Sequence, residues 1–102
     1  MKISSQRFLD QDTVNEKAAA KDFTVSVSPV FEIDGEEFEV VIDGHHSFAA
    51  AKQAGVEPDF VTIDQSECDA INLLEAGDTD GFLMAVHHSD NYYDIETGIE
   101  VW

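Results

Sequence analysis

"VVIDGHHSFAAAKQAG", residues 40–55, decides the fold. An apolar strand runs into Asp43-Gly44, two histidines follow, and an alanine-rich helical pattern stops at Gly55. Glycine just past the last helical residue is a common stop, because it takes left-handed φ without a Cβ penalty. The first N–H groups of a helix have no intrahelical partner, and the macrodipole adds partial positive charge there. Gly44 allows a sharp turn, and His45, His46 and Ser47 add donors beside it. The turn at Asp43–Ser47 is therefore a candidate anion site. The same pattern also suits a plain strand-to-helix junction.

Outward from this stretch the chain reads as short alternating elements. Upstream, "VFEI" and "FEVVI" flank Asp34-Gly35, the signature of a β-hairpin. Phe23, Val25 and Val27 alternate with Thr24 and Ser26, which predicts a strand with one buried face, and Pro29 places a break or an edge after it. Asp12 is a candidate N-cap for a helix over 13–21. Downstream, "DFVTI" (59–63) reads as a short buried strand. Ser66, with Asp69 three residues on, resembles a capping box for a helix carrying Ala70, Ile71 and Leu74 on one face and ending at Gly77. "GFLMAVHH" (81–88) is apolar enough for a buried strand, with a helix left open by its period. "YYDIETGIEVW" predicts a last hairpin turning at Glu96-Thr97-Gly98, with Ile95, Ile99 and Val101 packed on the core. The expected class is α+β: one domain over 1–102, a small mixed or antiparallel sheet and two or three short helices.

Charge is the strongest global feature. The chain has 22 acids against 5 bases, a formal net charge of −17. The bases Lys2, Arg7, Lys17, Lys21 and Lys52 all precede residue 53, and residues 53–102 hold 12 acids with no Lys or Arg. Nucleic-acid binding rests on Lys and Arg displacing counterions from phosphates, so this composition argues against direct binding to DNA or RNA. It also argues against anionic membrane surfaces. It favours encounter with basic partners, and it equally serves solubility. No apolar run reaches the length of a membrane span, and "MKISSQRFLDQD" is not a signal peptide, which predicts a cytoplasmic protein. Cys68 alone cannot form an internal disulfide.

The segment "SPVFEIDGEEFEVVIDGHHSFAAAKQAG" resembles the ParB/sulfiredoxin-like superfamily over about residues 23–63. In that family a hairpin leads into an Asp-Gly-His-His-Arg type turn and an alanine-rich helix. The resemblance implies a nucleotide site for ATP or CTP with magnesium. Gly44 matches the family glycine and His46 its histidine. Ser47 stands where the family carries the arginine that grips phosphate, and His45 stands where sulfiredoxins carry their catalytic cysteine. Arginine supplies a forked, permanently charged donor set that serine lacks. Asp43, Gly44, His45, His46 and Ser47 are thus the candidate residues of a degenerate nucleotide turn, with no catalytic residue assigned.

Other constellations are weaker. "HHS" occurs twice, at 45–47 and 87–89, but adjacent histidines on a strand point to opposite faces, and no metal site is assigned. Paired acids among so many read as a solvated surface. Asp78, Asp80, Asp90, Tyr92, Asp94, Glu96 and Trp102 interleave acids with aromatics, the composition of an interaction face. Two functions follow. One is a non-catalytic acidic binding protein on a ParB-like scaffold, needing no cofactor. Its carboxylates would mimic nucleic acid against a basic protein, as small inhibitors of restriction or CRISPR enzymes from phages and mobile elements do. The other is a small nucleotide-dependent enzyme of the ParB/sulfiredoxin-like type.

Overall fold

A computed structural model describes residues 1–102. The elements run β1 (Lys2–Ser4), α1 (Gln11–Ala19), β2 (Thr24–Val27), β3 (Phe31–Ile33), β4 (Glu36–Asp43), α2 (His45–Ala54), β5 (Asp59–Thr62), α3 (Ile71–Glu75), α4 (Thr79–Ala85) and β6 (Tyr93–Asp94). The fold is α+β, with four helices on one six-stranded mixed sheet of order β5-β2-β4-β1-β6 and β3 paired to β4.

β4 organises the sheet. On one edge it pairs antiparallel with β3 and then with β2; on the other it pairs parallel with β1. The β3–β4 connection is the expected Asp34-Gly35 turn. Both residues have positive φ, 53° and 82°, as a two-residue turn of type I′ requires. Between β2 and β3 the chain breaks at Pro29, which has no N–H to give a ladder. Ser28 bridges the gap: its Oγ accepts from the Val40 N–H at 3.0 Å and donates to the Pro29 carbonyl at 3.0 Å.

Successive residues of β4 feed opposite faces. Phe38 and Val40 join Ile3, Phe31, Ile63, Ile71, Phe82 and Tyr92 in the larger core, under α3 and α4. Val41 joins Val25, Val27 and Ile95 in a smaller one, against Phe48 of α2. The sheet is therefore covered on both faces, and α1 packs on α2.

Five sequence expectations are corrected. The strand at 59–63 is not buried: β5 forms an edge of the sheet and leaves Asp59, Val61 and Thr62 exposed. Residues 81–88 do not form a strand. Asp78 caps a helix there by accepting from the Gly81 N–H at 3.0 Å, so Phe82 is buried while Met84 faces out. Ser66 does not cap a helix: its N–H and hydroxyl both bond the Asp64 carboxylate, and α3 starts only at Ile71. The N-cap of α1 is Asp10 rather than Asp12, because Asp10 accepts from the Asp12 N–H at 3.0 Å. Ile99 is 68% exposed rather than packed. The last hairpin is present in short form, through β6 and a Tyr93–Glu100 bridge. No helix is long and apolar enough to cross a membrane.

Candidate functional site

β4 enters α2 through Gly44, whose φ is +96°. A Cβ there would lie 2.6 Å from the Thr24 carbonyl oxygen and 2.9 Å from Val25 Cα, so both conformation and space demand glycine. No side chain caps α2. Its start opens on a polar cavity of about 220 Å³ lined by Lys17, Asp22, Thr24, Asp43, His46 and Ser47 among others.

That cavity is already supplied with negative charge. Lys17 Nζ lies 2.9 Å from Asp22 Oδ2. The hydrogen bond from Lys17, the Thr24 N–H and the Ser47 hydroxyl hold the Asp22 carboxyl below the usual range, and the same Asp22 bond raises Lys17. Asp43 turns its own carboxylate onto the Gly44 N–H at 2.8 Å. The chain's own carboxylates thus sit with the cation and a turn N–H that an incoming phosphate would need. Ser47, at the arginine position of the resemblance, is 2% exposed.

The two histidines do different work. His46 Nε2 accepts from the Asp10 N–H at 3.1 Å, tying α2 to the start of α1. His45 Nε2 lies 2.6 Å from Ser4 Oγ of β1. Ser4 Oγ also accepts from the Gln6 N–H at 3.0 Å, and its hydroxyl proton remains free to go to His45 Nε2 when the ring is neutral. Burial, then the neighbouring charges of His88 and His46, push His45 down to about 4, with Asp43 opposing. A serine–histidine pair is the first half of a nucleophilic site. Here Ser4 is 1% exposed, no carboxylate bonds the ring, and an imidazole titrating near 4 is a weak base, so the pair acts as a tie between β1 and α2.

The acidic and aromatic candidates separate into two groups. Asp80, Tyr92 and Trp102 line one open groove, with Asp78 capping the helix beside it. Tyr92 is 7% exposed and its hydroxyl donates to the Leu83 carbonyl at 2.6 Å, so it is a wall and not a projecting side chain. Trp102 packs on Phe38 and edge-on to Tyr92, with ring centroids 5.1 and 5.6 Å away. Asp90, Asp94 and Glu96 lie apart, around β6. Asp90 accepts from the Arg7 N–H at 3.3 Å, and Asp94 accepts from the Glu96 N–H at 2.9 Å. Cys68 is half-buried against the larger core. No group of three or more His, Cys, Asp or Glu side chains is placed to hold a metal.

The cations are mostly engaged within the chain. Lys2 pairs with Glu39 at 3.6 Å, and Lys17 with Asp22. Arg7 lies 4.0 Å over the Tyr93 ring and donates to the Gly98 carbonyl, and Lys52 lies 5.2 Å over Phe48. Lys21, exposed after α1, makes no such contact. Sequence reading missed the Ser4–His45 pair, since 41 residues separate them and Ser4 lies in no motif. It also misses Met84, because 81–88 reads as a buried strand, and Ile33, which joins the groove only through tertiary packing.

Comparison with family models, curated proteins and solved structures finds no match to this chain.

Proposed function

We propose that the protein is a non-catalytic acidic binding protein, on a ParB-like scaffold, that occupies a Lys/Arg-rich surface of a partner protein in the cytoplasm. The observation that carries this reading is the internal use of its cations: four of the five bases are held by the chain's own carboxylates or rings. With 22 acids against 5 bases, what faces outward is dominated by acids, above all in residues 53–102. Such a surface steers encounter with a positive patch and presents carboxylates where a nucleic acid would present phosphates.

The uncapped start of α2 favours a second reading, a nucleotide-dependent enzyme holding ATP or CTP with magnesium at Gly44, His46 and Ser47. Asp22 and Asp43 in the same cavity oppose a triphosphate, and the first reading takes precedence. The test is capture of partners from extract at physiological salt and at 1 M, where the Debye length falls from about 8 Å to about 3 Å. Duplex DNA serves as competitor. A Lys/Arg-rich protein retained at the lower salt, then released by the higher salt and by DNA, is the expected result. Retention indifferent to both, or no basic protein retained, refutes it.

A further inference from the structure

The groove between α4 and the last residues of the chain has an apolar floor and an acidic rim. Ile33, Leu83, Met84, Tyr92 and Trp102 wall a cavity of about 500 Å³. Met84 is 79% and Trp102 46% exposed, next to a core that buries Phe82 completely. Exposed large apolar side chains gathered in one groove mark an interaction site, and methionine adapts its shape to what enters. Asp80 lines the groove directly. On the opposite wall Glu36 is the cross-strand partner of Ile33, so the two side chains share a face of the sheet. No Lys or Arg lines the cavity.

We infer that this groove seats a basic amphipathic segment of a partner protein, with one large apolar side chain entering beside Met84 and Trp102 and flanking Lys or Arg side chains meeting Asp80 and Glu36. This rests on the acidic-binding reading above and names the place of contact. Charge selects the occupant. A second copy of the chain would bring −17 against −17. An anionic amphiphile would meet the Asp80 carboxylate in the lining and Glu36 on the same sheet face, with His87 the one basic side chain there. A cationic segment satisfies the floor and both rims at once, which is the helix-in-groove mode of recognition.

Trp102 is the single tryptophan, so the groove carries its own reporter. The probe is a Leu/Lys peptide with its leucines on one helical face, titrated against Trp102 fluorescence. A scrambled peptide of equal composition, without an apolar face, is the control. The amphipathic peptide shifts Trp102 emission saturably and binds more tightly than the control. The decisive variant is Met84→Glu, at an exposed position where folding, checked by circular dichroism, is undisturbed. Charge alone predicts tighter binding to this variant, since it adds an acid. Groove docking predicts binding about tenfold weaker, from the lost burial of one apolar side chain. Equal or tighter binding to Met84→Glu, or no Trp102 shift, overturns the groove while leaving acidic binding standing. Failure of both peptides to bind at low salt overturns acidic binding itself. Concentration-dependent self-association in sedimentation that buries Trp102 overturns the choice of occupant.

Discussion

Lowering the pH from about 7 to about 4 should reveal His45 as a stability switch of known sign. An imidazole ordinarily titrates at 6.5, and in this fold burial holds His45 at about 4. Between those values the unfolded chain binds a proton that the folded chain refuses. Stability is therefore fully present above 6.5 and is lost as pH falls towards 4, in a span corresponding to ~3 kcal/mol. The 22 carboxylates begin to titrate at the acid end of this window, so the measurement is a difference. Urea unfolding of the wild type and of His45→Gln is followed across the range. Glutamine keeps a polar group near Ser4 and binds no proton. The wild type is expected to lose ~3 kcal/mol more than His45→Gln by pH 4. Parallel curves refute the reasoning, as does a His45 ring resonance that titrates near 6.5.

Gly44→Ala should cost about 3 kcal/mol or more, from left-handed strain plus the contact with Thr24 and Val25, and a thermal melt within two degrees of wild type would count against it. Ser28→Ala strands the Val40 N–H inside the sheet and should lower the unfolding free energy by about 1–3 kcal/mol, read from chemical denaturation. Duplex or single-stranded DNA should give no gel shift at about 1 µM protein and physiological salt, and a discrete complex there would contradict the charge argument. Calorimetry with ATP or CTP and magnesium should show nothing tighter than about 1 mM; tight binding would move the enzyme reading ahead.

Local chemistry explains what was legible in the sequence. The Asp34-Gly35 hairpin, the alternation of Val25 and Val27, the junction at Gly44 and the stop at Gly55 each depend on residues within a few positions. β1 was not legible, because three residues beside a charged start carry no period and become a strand only by pairing with Glu39 and Val40 of β4. The error at 81–88 has a similar origin. Its apolar run fits a buried strand, and the Asp78 cap that selects a helix lies outside the run. In the candidate site the turn was legible from Gly44. The carboxylate that shares its cavity was not, since Asp22 reaches it through tertiary packing of the segment between α1 and β2. The groove draws on Ile33, α4 and Trp102, which no sequence window joins.

The two cores on opposite faces of β4 differ in size, eight buried residues against four. Cooperative unfolding units tend to follow such divisions. The α1–α2 layer rests on the smaller cluster and on the His45 and His46 bonds, so it is expected to open first. Protonating His45 forfeits the stability of its buried neutral ring, so it lowers the cost of that opening as well as that of global unfolding. Amide protons of α2 then exchange through a partial opening, while those of β4 wait for the whole molecule to unfold. The groove lies on the other face, over the eight-residue core. Mild acid would thus loosen the α1–α2 half of the protein before the half that carries the groove.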